Sequence, residues 1–295
     1  MGHDPAVPSW GIAIASRYLA VGARSRWGEE GVGVVVVQAN HSAANGADGL
    51  ALLRQGTAAS EVIPRLLAGD FNARRRQMAV IDRTGGVASH TGPDCNDWKG
   101  SLAGRFAAAQ GNSLLGPAGC HAMLEAFEAS TGDLARRLVN ALAVCDAVAG
   151  DRRGRQSAAL LVVRPATEPP LNILSDPTID LRVDDHPEPF AELARLLDLH
   201  ELLRTKTAPG EELPQDPPTL RRVQNALRAL GSSVPVPSSA VLDEQTQAAL
   251  VIAIRNHNLR QRATAQGWPD RRALEHLERS ARLSRAGLSE TDLPR

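Results

Sequence analysis

The residues best suited to chemistry lie in a loop that runs into an apolar stretch between Gly150 and Arg164. Six polar side chains stand together at its start: Asp151, Arg152, Arg153, Arg155, Gln156 and Ser157. A guanidinium forms paired hydrogen bonds with a carboxylate. The loop therefore predicts a site in which Arg153 holds a substrate carboxylate and Asp151 is its partner. An Arg153–Asp151 pair that serves only the fold fits the sequence equally well.

Other polar residues stand where predicted strands end, and convergence of these ends would form a pocket with the loop. Catalytic roles are predicted for three of these residues: Ser16, His90 and Asn112. Substrate-binding roles are predicted for eight residues: Arg17, Gln38, Thr91, Gln110, Asp151, Arg153, Gln156 and Ser157. Ser16 is either a positioned hydroxyl or a hydrogen-bonded core residue, and His90 is either a base or a packed imidazole. Gln110 and Asn112 either donate to an oxyanion or close a turn.

A metal site is a weaker hypothesis. Carboxylate and imidazole groups that suit divalent ions occur at Asp180, Asp184, Asp185 and His186. Their spacing matches no known metal site, and Asp184 and Asp185 can instead cap the helix predicted from Pro187. We therefore predict neither a metal nor a cofactor.

Composition limits the functional classes. The 33 basic residues balance 33 acidic ones and only 3% of residues are aromatic, which argues against a nucleic-acid partner. Binding of nucleic acid through the arginines of the loop would show a steep salt dependence. Apolar stretches such as Val32 to Val37 are too short to span a membrane, and no signal peptide is visible, so a cytoplasmic protein without a membrane partner is expected. The cysteines Cys95, Cys120 and Cys145 lack CxxC spacing and are expected to be reduced.

Hydrophobic patterns predict a mixed α+β domain at residues 1–204, with two sheets packed as a sandwich and helices outside. Strands are predicted at 10–16, 32–38, 78–82, 87–91, 106–112, 158–163 and 178–183, and helices at 47–54, 57–68, 117–129, 133–147 and 187–204. Residues 205–218, rich in proline and charge, predict a linker. Three helices at 219–230, 243–255 and 271–286 predict a small all-α module at 219–295.

Six short motifs in a fixed order carry a resemblance that covers residues 4–204. They are ASR at 15–17, QAN at 38–40, HTG at 90–92, QGN at 110–112, GDRRGRQSAAL at 150–160 and DLRVDDHP at 180–187. The combination resembles domain-of-unknown-function family 1028, an uncharacterised bacterial family assigned to the N-terminal nucleophile (Ntn) hydrolase superfamily. The resemblance implies an αββα sandwich and hydrolysis of a small amide-bearing compound. In such hydrolases a Thr, Ser or Cys at the mature N-terminus attacks the amide, and its own α-amine is the base.

The N-terminus departs from that pattern. Only Met1, Gly2 and His3 precede Asp4 and Pro5, so the first strand and its nucleophile are predicted to be missing. Three explanations compete: a start codon placed too late, a truncated non-enzyme, or catalysis by an internal group. The first is favoured because the other polar residues of the pocket are kept.

The C-terminal module resembles the peptidoglycan-binding domain that some members of the family carry, through VQNALRALG at 223–231, LDEQTQAAL at 242–250 and NLRQR at 258–262. The glycines usual before the second helix of such domains are absent, so a helical module for protein contact or dimerisation is the alternative. A small-molecule substrate, a peptidoglycan fragment as a candidate ligand and a homodimer are the expected partners. The competing hypothesis to the amidohydrolase is a non-catalytic dimeric scaffold or binding protein, whose tail binds cell-wall glycan or a protein.

Overall fold

Strands from both halves of the first 183 residues pair into two antiparallel sheets. The computed structural model describes residues 1–166, 178–234, 242–264 and 266–288. The chain divides into one unit at Met1–Leu197, which holds both sheets, and a helical unit at Asp198–Arg295. The predicted mixed α+β class is confirmed, with two antiparallel sheets and eight α-helices in the part of the chain just defined.

The strands are short and are numbered in chain order. Their bounds are β1 Gly2–Asp4, β2 Ser9–Ser16, β3 Arg26–Glu29, β4 Gly33–Ala39, β5 Arg76–Asp82, β6 Val87–Thr91, β7 Gly100–Gly104, β8 Ala107–Gly111, β9 Ser157–Val163 and β10 Ile179–Val183. The larger sheet has the order β10, β9, β2, β1, β8 and β7, and the smaller has the order β3, β4, β5 and β6. The predicted strands are thus present, and β1, β3 and β7 are additional.

The earlier helices of the chain pack on the outer faces of the sheets of the first unit, and the last three described helices form the second unit. Their bounds are α1 Ala43–Arg54, α2 Ala59–Leu67, α3 Ala118–Ala129, α4 Leu134–Ala149, α5 Pro189–Arg204, α6 Pro217–Ala229, α7 Glu244–Asn256 and α8 Arg271–Arg285. On the smaller sheet, Leu53 and Val62 of α1 and α2 pack against Val35. On the larger sheet, Leu138 of α4 packs in one cluster with Leu160.

Alternate residues of the same strands turn inward and join the two sheets. Ile12 and Ile14 of β2 form one buried cluster with Val34 and Val36 of β4. Successive side chains of a strand point to opposite faces, so the valine-rich strand β4 serves the helix layer and the layer between the sheets at once. The sheets therefore face each other across an apolar layer, which ends where the polar strand ends begin.

The prediction that the first strand is missing is wrong in part, because Gly2–Asp4 forms β1. Gly2 lies opposite Gly11 of β2 and Ala107 of β8, so β1 is a central strand of the larger sheet. A Cβ added at Gly2 would lie 2.3 Å from the Phe127 ring, so the absence of a side chain allows this close approach. Strand pairing is made by backbone groups, and three residues with no apolar alternation are therefore enough.

The second unit is a cluster of three helices, each begun by an aspartate that caps the backbone: Asp216 for α6, Asp243 for α7 and Asp270 for α8. Their core includes Val223, Leu250 and Leu274. Residues 235–241, 265 and 289–295 of the predicted module lie outside the described residues. Among the helices that the structure describes in either unit, none combines the length and the apolar character needed to cross a membrane.

Candidate functional site

A pocket of about 830 Å³ opens between the two sheets of the first unit, where the apolar layer ends. The larger sheet supplies the ends of β2 and β8, and the smaller sheet supplies the end of β4 with the residues that follow it. One end is closed by the loop at residues 150–156, here called the arginine loop. Seven of the predicted site residues line this pocket: Ser16, Gln38, Gln110, Asn112, Asp151, Arg153 and Ser157.

The floor of the pocket is a gap in the larger sheet. Pairing of β1 with β2 ends at Gly2 opposite Gly11, and pairing of β1 with β8 ends at Gly2 opposite Ala107. Strand β2 continues to Ser16 and β8 continues to Gly111, and no strand of the described chain lies between these two extensions. The gap is about 14 Å long along Ala13–Ser16, from four residues at about 3.4 Å each.

Met1 stands at the inner end of this gap. Its α-amine donates a hydrogen bond to the carbonyl oxygen of Ala108, at 2.8 Å, and its own carbonyl accepts one from the Ala108 amide, at 3.0 Å. Burial lowers the pKa of this amine to about 5. Met1 itself lines the pocket but carries neither a hydroxyl nor a thiol.

Amide side chains join the two sheets across the pocket. The Nε2 of Gln110 donates to the Oε1 of Gln38 at 2.5 Å, so β8 and β4 are linked directly. The Oε1 of Gln110 is buried and has no hydrogen-bond partner in the described structure. Beside it, the Nδ2 of Asn112 donates to the Oε1 of Gln77 at 3.0 Å. Each of these NH₂ groups has a second hydrogen available for a ligand.

The two predicted serines differ in their hydrogen bonding. Ser157 is fully buried; its Oγ accepts from the Val21 amide at 3.2 Å and donates to the Tyr18 carbonyl at 2.6 Å, which fixes the turn after β2. Ser16 is half-buried, and its Oγ makes no hydrogen bond with any residue that the structure describes. Ser16 is therefore the hydroxyl that is available to a ligand, whereas Ser157 supports the wall.

The charges of the arginine loop are neutralised within the loop and by its neighbours. Asp151 accepts from Arg153 Nε at 2.9 Å and from Arg153 Nη2 at 2.6 Å, and its Oδ2 also accepts from the Arg17 amide at 3.3 Å. Burial alone would raise the pKa of Asp151, but the hydrogen bonds from Arg153 and from the backbone hold it below its usual value. Arg155 pairs with Asp146 at 2.8 Å and with Glu188 at 2.5 Å. The sequence left two roles open for the Arg153–Asp151 pair, and the observed geometry fits the structural one.

Four other predicted site residues do not line the pocket. Arg17 donates to Gln156 of the arginine loop, and Gln156 donates to Asp185, so both side chains hold the loop in place without lining the pocket. His90 and Thr91 lie on β6, which is separated from β4 by β5. The His90 ring contacts the Ala73 carbonyl at 3.2 Å and the Thr91 hydroxyl accepts from Gln77. Sheet order therefore places the HTG motif away from the pocket.

Residues that were not singled out in the sequence complete the pocket wall. Arg24, Ser25, Asn40, His41 and Arg75 line it on the side of the smaller sheet. The Nε2 of His41 is buried without a hydrogen-bond partner among the described residues, and the ring stacks on Trp27 with centroids 6.0 Å apart. The one available signal for this wall was the QAN motif, which stops just short of His41.

The thiols of the pocket are poor nucleophiles. Cys95 and Cys145 both line it and both are buried free cysteines. Burial raises the pKa of Cys95 and raises that of Cys145 to about 11, so both are protonated near neutral pH. A thiol reacts as its thiolate, so neither side chain is activated for attack.

The acidic residues after β10 are used in local contacts. Asp180 accepts from Arg26 at 2.6 Å, and the Nδ1 of His186 accepts from the Glu188 amide at 3.0 Å. Within the described ranges, no group of three or more His, Cys, Asp or Glu side chains is placed to hold a metal ion. The arrangement fits the predicted turn ahead of α5.

Comparison with known proteins identifies relatives of the first unit. A family model described as a family of unknown function, DUF1028, matches residues 1–193. The crystal structure of protein SPO2555 from Silicibacter pomeroyi, itself assigned to DUF1028, is 32% identical and superposes with a TM-score of 0.61. That likeness covers 68% of this chain and 87% of the other. No curated protein matches the chain.

Proposed function

The chain belongs to DUF1028, a family of unknown function, and from this membership and the pocket we propose that it is an Ntn-type amidohydrolase of a small amide-bearing compound. The layered order of helices, sheet, sheet and helices supports this proposal, because an αββα sandwich is the arrangement that the superfamily uses. A second support is that β1 starts at the pocket, as the strand that bears the nucleophile does in Ntn hydrolases. The peptide-like character of the substrate comes from a third feature.

The observation that carries the proposal is the gap between β2 and β8. Backbone N–H and C=O groups at strand edges require partners, and an extended amide supplies both a donor and an acceptor. A compound lying along Ala13–Ser16 and Ala109–Gly111 would place its amide beside Ser16, Gln110 and Asn112. The second hydrogens of the two side-chain amides are suited to stabilise the oxyanion that forms when the carbonyl is attacked.

Met1 has no nucleophilic side chain, so the attacking group comes from elsewhere. Ser16 is the candidate within this chain, since its hydroxyl is free of hydrogen bonds to the described residues and faces the pocket. The competing candidate is a hydroxyl or thiol on residues ahead of Met1, in a longer chain whose first strand would run through the gap. If Ser16 is the nucleophile, the chain as given is active. If the nucleophile lies ahead of Met1, only the longer chain is active.

The test is release of primary amine from a panel of short N-acyl amino acids and amides. We expect the chain as given to hydrolyse members of this panel, and Ser16→Ala to lower kcat/KM by about 100-fold or more. Ser101→Ala is the matched control, because Ser101 on β7 accepts a hydrogen bond from Ser89 on β6 of the smaller sheet and does not line the pocket. Activity equal in Ser16→Ala and wild type would transfer the nucleophile to another residue. A chain inactive on the whole panel, both as given and when extended by a Thr- or Ser-bearing strand, would refute the hydrolase.

A binding protein is the second candidate function, and an apolar surface on α7 favours it. Val251 is 44% exposed and Ile252 is 50% exposed, side by side on the helical unit. Apolar residues that are exposed together on a surface can form part of a contact site for a protein partner. Retention on peptidoglycan in a pull-down would indicate glycan binding, and twice the monomer mass in solution would indicate dimerisation. A monomer that is not retained would support neither role.

A further inference from the structure

Two arginines stand on either side of the end of β4. On one side, Arg26 pairs with Val36 and the Val37 amide bonds to the Ser25 carbonyl, which places Arg24 beside Gln38. On the other side, the Asn40 amide bonds to the Arg75 carbonyl at 3.1 Å. Neighbouring strands lie about 4.8 Å apart, so the two backbones are about 10 Å apart across β4. Both side chains line the pocket.

These two arginines are exposed, and neither forms an ion pair with a described residue. The other cations of the wall are neutralised: Arg153 by Asp151, and Arg155 by Asp146. Asp94 also lines the pocket, but it already accepts two hydrogen bonds from Arg74. Asp94 interacts electrostatically with Arg75 without bonding to it, so the pocket presents two guanidinium groups that have no ion-pair partner among the described residues.

Two further features single out the same wall. Ala39, between Gln38 and Asn40, has a φ of 61°, a left-handed conformation that is unfavourable for an alanine. The unpartnered Nε2 of His41 lies on the next turn of chain. Strained backbone and unsatisfied polar atoms concentrate at ligand sites. An imidazole N–H and two guanidinium groups are donors that a carboxylate accepts.

We infer that the substrate of this pocket carries a carboxylate, held by Arg24 and Arg75, so that the amide compound belongs to the class of N-acyl amino acids. The amide group of this substrate rests on the proposed hydrolase, whereas its carboxylate rests on the two arginines alone. A dicarboxylate binds better than a monocarboxylate, because each unpaired guanidinium receives one acid group.

The test uses three probes of similar size in isothermal titration: N-acetylglutamate, N-acetylglutamine and N-acetylglutamine amide, which carry two, one and no carboxylates. We expect affinity to rise with the number of carboxylates, with N-acetylglutamate binding at least tenfold more tightly than the neutral probe. Arg24→Gln and Arg75→Gln should each weaken N-acetylglutamate by about tenfold and leave the neutral probe unchanged. Inorganic phosphate as competitor distinguishes a general anion site from a carboxylate site.

Arg152→Gln is the matched control, since Arg152 is an exposed arginine of the arginine loop that does not line the pocket. Equal affinity for the three probes, or the same loss in Arg152→Gln as in Arg75→Gln, would overturn the inference. Displacement of N-acetylglutamate by phosphate at equal concentration would also overturn the preference for a carboxylate. Arginine-dependent binding without release of amine, in the chain as given and in the extended chain, would refute the hydrolase and keep the acid site. Hydrolysis of N-acetylglutamate at an unchanged kcat/KM in Arg24→Gln and Arg75→Gln would refute the acid site and keep the hydrolase.

Discussion

The chain has two arginine-rich stretches, Arg74–Arg76 and Arg152–Arg155, and they use their charges differently. In the first, three consecutive residues have three environments: Arg74 pairs with Asp94 at the surface, Arg75 lines the pocket unpaired, and Arg76 is buried against Asp70. In the second, Arg153 and Arg155 are paired within the wall. The density of arginine in the sequence therefore does not indicate which guanidinium can bind a ligand. The strand pairing around each residue decides it.

The largest effect is expected at the buried pair of the first stretch. Arg76 bonds to Asp70 at 2.8 Å and to the carbonyls of Asn40 and His41, so the pair holds the chain that follows β4. Both side chains are about 8% exposed. Asp70→Asn leaves a buried cation unpaired and should lower the free energy of unfolding by about 3–5 kcal/mol, measured by urea unfolding at pH 7. A loss below 1 kcal/mol would place Arg76 with the surface arginines.

The same pair gives a pH dependence. The hydrogen bond from Arg76 lowers the pKa of Asp70 to about 2, below the value of about 3.9 in an unfolded chain. Because the folded-state pKa is the lower one, the pair stabilises the protein above about pH 4, and this contribution is lost as the pH falls towards 2. Wild type should therefore lose stability more steeply than Asp70→Asn between pH 4 and 2. Parallel unfolding curves in that range would contradict this assignment.

An intermediate effect is expected from releasing an arginine of the second stretch. Asp151→Asn removes the charge that neutralises Arg153, and we expect a loss of about 1 kcal/mol in stability, because Arg153 is partly exposed. Affinity for N-acetylglutamate should rise about fivefold, since a third guanidinium then faces the pocket. Titration of this variant beside Arg24→Gln measures the gain against the loss. Unchanged affinity would mean that position, and not pairing, keeps Arg153 from the ligand.

The smallest effect belongs to Arg152, the exposed arginine outside the pocket. Arg152→Gln should change the free energy of unfolding by less than about 0.5 kcal/mol and leave the affinity for every probe unchanged. Thermal unfolding and the same titrations check both values. A weakened affinity would extend the acid site into the arginine loop and remove the contrast between the two stretches.

The fold was predictable where apolar patterns are strong. The valine-rich strand β4 and the wholly buried strand β9 both lie where the pattern predicts them. Strands β3 and β7 were not predicted, because RWGE and GSLAG have no apolar alternation and form through pairing with β4 and β8. The residues of a strand do not indicate with which distant strand it will pair.

The site was predictable in part for the same reason. Ser16, Gln38 and Gln110 end strands that converge on the pocket, as expected from their positions. His90 lies at the end of a strand that the sequence pattern predicts equally well, but this strand is two strands away from β4. The order of strands in a sheet cannot be derived from the pattern of one strand. Arg24 and Arg75 were not predicted as site residues, because they lie in a glycine-rich turn and in a run of arginines. Charged side chains in such segments normally face solvent.

The order of strands in the larger sheet determines when the pocket can form during synthesis. The smaller sheet is built from neighbours in sequence and can close once residue 91 is available. The larger sheet pairs Trp10 with Val163 and Ser16 with Ser157. Strand β2 therefore cannot pair with β9 until almost the whole first unit has been synthesised. Pairings of such high sequence separation fold slowly, because the chain between them must be closed first. Any fragment that ends before β9 therefore leaves β2 without its β9 neighbour and the binding site unformed.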